Sequence, residues 1–125
     1  MSVSDAESMV MEALWARHPQ TADEIIAEIA EANGWSAMTI RTLLNRLLNK
    51  AAISASREGR RYLYSPVLTR TDYVHEKSRG LIDRLFDGRL APLVSHFSER
   101  EGLDPDDIKA LRQLVEGLDD DQPDP

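Results

Sequence analysis

The stretch SAMTIRTLLNRLLNKAAISASREGRRYLYSP, residues 36–66, contains the change of periodicity that decides the fold class. Its first half repeats apolar residues at helical spacing, whereas residues 53–57 and 60–65 read as two short β-strands. The Glu-Gly pair at 58–59 separates these strands, so we expect it to form a hairpin turn. The stretch therefore predicts a helix over about residues 36–50 followed by a β-hairpin.

Two shorter helices are predicted before this stretch. Ser4 and Thr21 each stand three residues before a glutamate, which is the capping-box pattern of a helix N-terminus. Pro19 ends the first helix, and Gly34 supplies the left-handed residue that ends the second. Three short helices followed by a hairpin is the order of a winged helix-turn-helix. We therefore predict a mainly α fold with a small β-hairpin.

Three more amphipathic helices are predicted after residue 68, separated by Gly88 and by the Asp104-Pro105 cap. Three short helices bury little apolar surface by themselves, so we expect their apolar faces to meet those of a second copy. The alternative is that they pack on their own winged helix. The candidate dimerisation residues are Tyr73, Leu81, Leu85, Phe86, Leu93, Phe97, Leu111, Leu114 and Leu118.

These patterns predict three parts of the chain. Residues 1–68 form a winged-helix DNA-binding domain, residues 69–118 form a helical dimerisation region, and residues 119–125 form an acidic disordered tail.

The charge distribution bears on whether the chain binds DNA. The formal net charge of −7 and the pI of about 4.9 argue at first against nucleic acid, whose binders usually carry a basic domain. However, residues 36–66 carry a net charge of +5, whereas residues 5–35 and 67–125 each carry −6. Attraction to a polyanion depends on the potential within about 10 Å, so a basic centre between acidic flanks is compatible with DNA binding. On charge alone, a basic strip on an ordinary soluble domain is an equal alternative.

The polar face of the third helix has the composition of a DNA-reading surface. It contains no acid, whereas an ordinary polar face mixes lysine with glutamate, and its arginine, asparagine and threonine side chains can read guanine, adenine and thymine. The hairpin arginines can contact phosphates or enter the minor groove. The candidate DNA-binding residues are Ser36, Met38, Thr39, Arg41, Thr42, Asn45 and Arg46 on the helix and Arg57, Arg60 and Arg61 on the wing.

Several function classes are excluded or disfavoured. A chain without cysteine has no disulfide scaffold, thiolate metal site or cysteine nucleophile. No run approaches the about 18 apolar residues of a membrane span, and the N-terminus lacks the pattern of a signal peptide, so we expect a cytoplasmic protein without membrane insertion. His75-Glu76 begins like a zinc-protease motif, but Arg79 replaces its second histidine. We expect no catalysis, metal or cofactor.

Taken together, the motifs resemble those of the penicillinase-repressor (BlaI/MecI-type) family of transcriptional regulators. The resemblance covers roughly residues 4–118. It implies a dimeric repressor whose winged helix binds palindromic operator DNA and whose C-terminal helices form the dimer. It also implies control of β-lactamase or cell-wall-stress genes, with repression relieved through a membrane sensor metalloprotease. The matching segments are Ser4–Glu7, Leu14-Trp15, Thr21–Ile25, Trp35-Ser36, Thr39-Ile40, Thr42–Leu44, Arg46-Leu47, Glu58–Pro66, Leu93-Val94 and Phe97.

Three positions depart from the family's pattern. Met38 stands where such proteins usually carry lysine, and Ala51 stands where they commonly carry a glycine that ends the helix. A left-handed alanine would cost roughly 1 kcal/mol. Staphylococcal-type members are cleaved at an Asn–Phe bond, and the matching pair here, His96-Phe97, is a candidate proteolytic switch. Copper-responsive relatives carry a C-terminal cysteine-rich clasp, which a chain without cysteine lacks.

Two other functions are compatible with these residues. A winged helix can act as a protein-interaction module, whose basic face binds an acidic partner without sequence-specific DNA binding. A small-molecule-responsive regulator is the third possibility, although the sequence indicates no pocket.

Overall fold

The computed structural model describes residues 2–121, which contain six helices and one two-stranded antiparallel hairpin. Three helices precede the hairpin and three follow it, which confirms the predicted fold class. The elements are α1 (Asp5–Ala16), α2 (Ala22–Asn33), α3 (Ala37–Asn49), β1 (Ile53–Glu58), β2 (Arg61–Pro66), α4 (Arg70–Phe86), α5 (Leu90–Arg100) and α6 (Pro105–Asp121).

The N-termini of the first three helices are capped by the side chains that the sequence indicates. The backbone N–H of Glu7 donates to Ser4 Oγ at 3.1 Å, and the carboxylate of Glu7 accepts in return from the backbone N–H of Ser4. Thr21 forms the same reciprocal box with Glu24 at the start of α2. Ser36 Oγ accepts from the third residue of α3 at 3.2 Å. Both predicted capping boxes are therefore confirmed.

The C-terminus of α3 has the left-handed residue that the sequence places there. Ala51 has a φ of 60°, in the region that glycine adopts without a steric penalty. Its N–H donates to the carbonyl of Leu48, and the N–H of Ala52 donates to that of Leu47, each at 3.0 Å. These bonds turn the chain from α3 into β1.

The hairpin turn lies one residue later than predicted. Glu58 pairs with Arg61, so the two turn residues are Gly59 and Arg60 rather than Glu58 and Gly59. Gly59 has a φ of 63°. A positive φ at the first of two turn residues is the requirement of a type II′ turn, which glycine meets. Glu58 therefore belongs to the strand and not to the turn.

Gln20 attaches the hairpin to the helices. Its backbone forms an antiparallel bridge with Tyr64, with N–H···O distances of 3.0 and 2.8 Å. Its buried side chain donates to the carbonyls of Ala13 and Arg17 at 3.0 and 2.6 Å. The wing is thus fixed to the segment between α1 and α2.

The hydrophobic core lies between α1, α2 and α3, closed on one side by β1 and the start of α4. The helical spacing of Ile40, Leu43, Leu44, Leu47 and Leu48 predicts one buried face of α3, but Leu48 is only half-buried. Trp15 covers the edge of this core, and its indole N–H donates to the carbonyl of Leu68 at 2.8 Å. The core residues are Val3, Val10, Met11, Leu14, Ala22, Ile25, Ile40, Leu43, Leu44, Leu47, Ala52, Ile53 and Leu68.

The chain divides into two compact units, Met1–Lys77 and Ser78–Pro125. The division falls inside α4, nine residues after the boundary that the sequence indicates at 68, because the first turns of α4 pack on α1. The Tyr73 ring lies 5.4 Å from that of Trp15, and Arg70 Nε lies 3.2 Å from Glu12 Oε1.

The C-terminal unit contains the end of α4 together with α5 and α6. Asp87 and Gly88 end α4 in left-handed conformations, with φ values of 53° and 78°. Asp104 Oδ1 accepts from the N–H of Asp106 at 2.8 Å, as expected for the cap of α6. Helix α6 continues to Asp121, so part of the segment predicted as a disordered tail is helical, and residues 122–125 lie outside the described residues.

Within the described residues, no helix has both the length and the hydrophobicity needed to cross a bilayer.

Candidate nucleic-acid interface

One face of α3 is exposed and carries all the helix residues selected from the sequence. The opposite face is held in the core by Ile40, Leu43, Leu44 and Leu47, so the exposed face belongs to a rigidly packed helix. The most exposed apolar side chain of this surface is Met38, at 71%. The selected residues, all of them exposed, are Ser36, Met38, Thr39, Arg41, Thr42, Asn45 and Arg46.

The hydroxyl groups on this face are engaged on the helix itself. Ser36 Oγ caps α3 and lies 3.1 Å from Thr39 Oγ1. Thr42 Oγ1 donates to the carbonyl of Met38 at 3.0 Å. In this conformation Thr42 can offer a partner its methyl group, which suits the methyl of a thymine, and its hydroxyl oxygen as a hydrogen-bond acceptor.

The three wing arginines are all exposed. Arg57 Nε donates to the carbonyl of Gly59 at 3.0 Å, and Arg61 Nη2 lies 3.4 Å from Glu58 Oε1. Arg60 occupies the second turn position and forms no ion pair within the described part of the chain. All three guanidinium groups thus lie exposed at the end of the hairpin, and those of Arg57 and Arg61 each make one contact within it.

The wing and α3 meet at a cleft beside the N-terminus of α2. Arg41 from α3 and Arg60 and Arg61 from the wing line the same cleft. The structure therefore brings together candidate residues that are about 20 positions apart in the sequence. The remaining lining residues are Thr21, Ala22, Asp23, Tyr62 and Tyr64.

The start of α2 is the part of this surface that the sequence analysis does not identify. Thr21 and Asp23 lie in the cleft, and Asp23 Oδ1 forms an ion pair with Arg41 Nη2 at 3.0 Å. The capping box at Thr21 is the signal that could have found it, because the N–H groups at a helix N-terminus attract anions.

Glu24, in the same helical turn, remains ionised at neutral pH. Hydrogen bonds from the backbone and side chain of Thr21 lower the pKa of its carboxyl, and the charges of Arg17 and Arg61 act in the same direction. Arg61 lines the cleft together with Thr21 and Asp23, so the positive charge of the wing lies near the start of α2.

Lys50 is the basic residue of the 36–66 block that serves the fold. Its Nζ donates to the carbonyl of Ser2 at 2.7 Å and also to the buried carboxylate of Glu7. Burial raises the pKa of Glu7, but the hydrogen bonds from Lys50 and Ser4 outweigh it and hold that pKa below its ordinary value of 4.5. Five arginines of the block are thus left for the exposed surface.

The candidate dimerisation residues of the C-terminal unit are exposed or half-buried. Leu93, Phe97, Leu111 and Leu114 line an apolar groove between α5 and α6. Leu81, Leu85, Phe86 and Leu118 lie on α4 and α6, and three of these four are exposed.

Tyr73 differs from the other candidates in its surroundings. It is half-buried and belongs to the N-terminal unit, where its ring packs against Trp15 at 5.4 Å. Lys77 Nζ lies 5.9 Å from the centre of that ring. Tyr73 therefore contributes to the packing of the N-terminal unit, and its role in a dimer interface stays a prediction.

The candidate switch pair lies in the middle of α5. His96 and Phe97 are both exposed, and their rings lie 5.3 Å apart in an edge-to-face arrangement. The His96 ring is also 6.1 Å from that of Phe86. The bond between the pair is therefore part of a helical backbone.

Within the described residues, no group of three or more histidine or carboxylate side chains is arranged to hold a metal ion.

Comparisons with known proteins match nearly the whole chain. The penicillinase repressor family matches residues 3–117. The chain is 35% identical over 114 residues to the penicillinase repressor of Bacillus licheniformis, which covers 91% of this chain and 89% of the relative. It is 33% identical over 113 residues to the methicillin resistance regulatory protein MecI of Staphylococcus aureus strain N315. This match covers 90% of this chain and 92% of the relative.

A solved structure resembles the N-terminal part. The solution structure of monomeric Bacillus licheniformis BlaI in complex with the blaP half-operator has a TM-score of 0.53 and 37% identity to this chain. The match covers 58% of this chain and 89% of that one. With the match to residues 3–117, these similarities establish that the chain belongs to the penicillinase repressor family.

Proposed function

We propose that this chain, a DNA-binding repressor of the penicillinase repressor family, binds a pseudo-palindromic operator as a homodimer. The observation that carries the proposal is the exposed, acid-free face of α3 beside the wing arginines in a single cleft. A half-operator complex is known for a relative that is 37% identical, which supports the same docking mode here.

The residues divide between reading bases and holding the backbone. Arg41, Asn45 and Arg46 carry planar donors that can pair with guanine or adenine edges in the major groove, and Thr42 presents a methyl group to thymine. The wing arginines contact phosphates or the minor groove; they are Arg57, Arg60 and Arg61. The hydroxyl residues Ser36 and Thr39 contact the DNA backbone. Met38 adds an apolar contact on the first turn of α3.

The homodimer is supported by the apolar surface of the C-terminal unit. Leu85, Leu114 and Leu118 are each 64% exposed, which is unfavourable for leucines on a folded monomer. A second copy related by a two-fold axis would cover them. The same symmetry would place two α3 helices roughly 34–36 Å apart, in successive major grooves of one operator.

The regulated genes and the signal follow from the family. We propose that the operator controls β-lactamase or cell-wall-stress genes in the cytoplasm, and that a membrane sensor metalloprotease system ends repression. Cleavage at His96-Phe97 would sever α5, which carries part of the apolar groove, and would weaken the dimer. Because proteolysis favours locally opened chain, α5 has to unwind before cleavage.

Operator binding is tested by fluorescence anisotropy with the DNA upstream of the gene and a scrambled duplex of the same length. Arg46→Ala should weaken operator binding by about 1–3 kcal/mol and affect the scrambled duplex much less. Arg60→Ala should weaken both and reduce the salt slope by about 1. Arg112→Ala, an exposed arginine on α6, is the control and should change neither.

Two results would contradict the proposal. One is that Arg46→Ala and Arg60→Ala bind as the unaltered protein does. The other is that the protein does not bind the upstream DNA at moderate salt and instead forms a stable complex with an acidic protein.

A further inference from the structure

Asp23 is an acid in a cleft whose other charged lining residues are arginines. It lies in the cleft lined by Arg41, Arg60 and Arg61, and its Oδ1 is 3.0 Å from Arg41 Nη2. The side chain of Asp23 is 88% exposed and that of Arg41 is 51% exposed. An ion pair this open to solvent contributes little to folding stability, and a carboxylate in the first turn of α2 adds only about 0.3–1 kcal/mol through the helix dipole.

Asp23 is also not needed to cap α2. Thr21 is the N-cap, and Glu24 completes the capping box by accepting from the Thr21 N–H at 3.1 Å. A carboxylate at this place repels DNA phosphates and so lowers affinity for any duplex. A role in recognition would have to come through its partner, Arg41.

The ion pair restricts how Arg41 can be used. A guanidinium has five N–H donors in a rigid plane, and Asp23 accepts from one edge of that plane at Nη2. An arginine held at one edge keeps a defined orientation, whereas a free arginine can turn to a phosphate. The pair spans 18 residues and joins α2 to α3, so the orientation is set by the helix-turn-helix itself.

We propose that Asp23 is a positioning residue, which orients Arg41 towards the base edges of the operator and lowers the affinity for non-operator DNA. The proposal rests on the proposed function, since it concerns how the same surface discriminates between DNA sequences. Discrimination then depends on an acid outside α3, on the first turn of the preceding helix.

The test compares dissociation constants for operator and scrambled duplexes of equal length, between about 50 and about 200 mM salt. In Asp23→Asn, Arg41 is free to neutralise a phosphate, so the salt slope on scrambled DNA should steepen by about 0.9. Scrambled DNA should bind more tightly, and the ratio of the two constants should fall by about tenfold, as when one base contact is lost. Asp23→Glu keeps the carboxylate and should restore most of the ratio.

Two further variants identify the cause. Glu28→Gln removes the same charge from an exposed position on α2 and should change the ratio by less than about twofold. Asp23→Asn in an Arg41→Ala background should have no further effect on the ratio, because Asp23 acts through Arg41. Thermal unfolding of each variant, followed by circular dichroism, checks that the fold is retained.

The outcomes separate the two proposals. An unaltered protein that binds no DNA contradicts the proposed function and this inference with it. Suppose that the unaltered protein discriminates between operator and scrambled DNA. The inference alone is then overturned if Asp23→Asn leaves the ratio of the two dissociation constants unchanged. It is also overturned if Asp23→Asn lowers that ratio as much in the Arg41→Ala background as in the unaltered protein. A loss of ratio of equal size in Glu28→Gln would also overturn it, because net charge would then explain the effect.

Discussion

The two compact units differ in how their apolar residues are covered. Every buried residue of the described chain lies in the N-terminal unit, where three capped helices close around the core and Gln20 joins the hairpin to them. Among residues 78–119 of the C-terminal unit, none is buried, although the unit carries many leucines. The first unit is therefore stabilised by internal contacts, whereas the apolar side chains of the second are exposed or half-buried. Variants of each unit test this difference.

The largest effect is expected in the core of the N-terminal unit. Leu44 is 1% exposed, so Leu44→Ala should lower the free energy of unfolding by about 2–5 kcal/mol through lost burial and the cavity left behind. Urea unfolding at two protein concentrations measures it, and the loss should be the same at both. The half-buried Leu48→Ala is the control with a smaller loss. A loss that grows on dilution would contradict an internally stabilised unit.

In the C-terminal unit, substitution of an exposed leucine should weaken the dimer rather than the fold. Leu114 lines the apolar groove and is 64% exposed, so Leu114→Glu would place a charge in both halves of a two-fold interface. We expect the dimer dissociation constant to rise by at least about 100-fold, equivalent to about 2.7 kcal/mol, as measured by sedimentation equilibrium. Met9→Glu, at an apolar position of α1 that is 44% exposed, should leave it unchanged. If Leu114→Glu left the dimer dissociation constant unchanged, the apolar groove would not be part of the dimer interface.

A smaller effect concerns the pH dependence of the N-terminal unit. Because the pKa of folded Glu7 lies below the ordinary value of 4.5, its ionised form stabilises the fold above that pH, and the contribution is lost as the pH falls through the folded pKa. Glu7→Gln should lower stability at neutral pH by about 1–3 kcal/mol and reduce the further loss in acid. Thermal unfolding between neutral pH and acid checks both. Glu12→Gln, whose exposed carboxylate pairs with Arg70, should change neither by more than about 1 kcal/mol.

The smallest effects are expected at Ala51 and Asp87, the two non-glycine residues of the described chain with a positive φ, one in each unit. Ala51 has a φ of 60° and Asp87 a φ of 53°. Ala51→Gly should raise the free energy of unfolding by about 0.5–1 kcal/mol, because glycine relieves the strain but loses more entropy on folding. Asp87→Gly should give less, since aspartate tolerates this conformation better than alanine. Thermal unfolding of both variants measures the two changes in the free energy of unfolding. A larger increase for Asp87→Gly than for Ala51→Gly would contradict the steric explanation.

The sequence predicts features that depend on neighbours three or four residues away. The capping boxes at Ser4 and Thr21, the terminator at Gly34 and the buried face of α3 are all of this kind. Each follows from local backbone geometry, which nearby residue types determine directly.

The register of the hairpin and the contacts between distant residues could not be predicted from the sequence. The Glu-Gly pair predicts the turn one position too early, because strand pairing continues to Glu58 and Arg61 and Gly59 takes the first turn position. The ring of Tyr73 packs against that of Trp15, 58 positions away, and Lys50 donates a hydrogen bond to Glu7, 43 positions away. The ion pair of Asp23 and Arg41 spans 18 positions. No local pattern encodes these contacts.

The position of Trp15 gives the protein an internal optical probe. Both tryptophans, Trp15 and Trp35, belong to the N-terminal unit, and Trp15 is bonded to Leu68 at the edge of its core. Their fluorescence reports on that unit, whereas far-ultraviolet circular dichroism reports on the helices of both. A transition that dichroism detects while the emission stays constant is therefore assigned to the C-terminal unit, in the unaltered protein and without an added label.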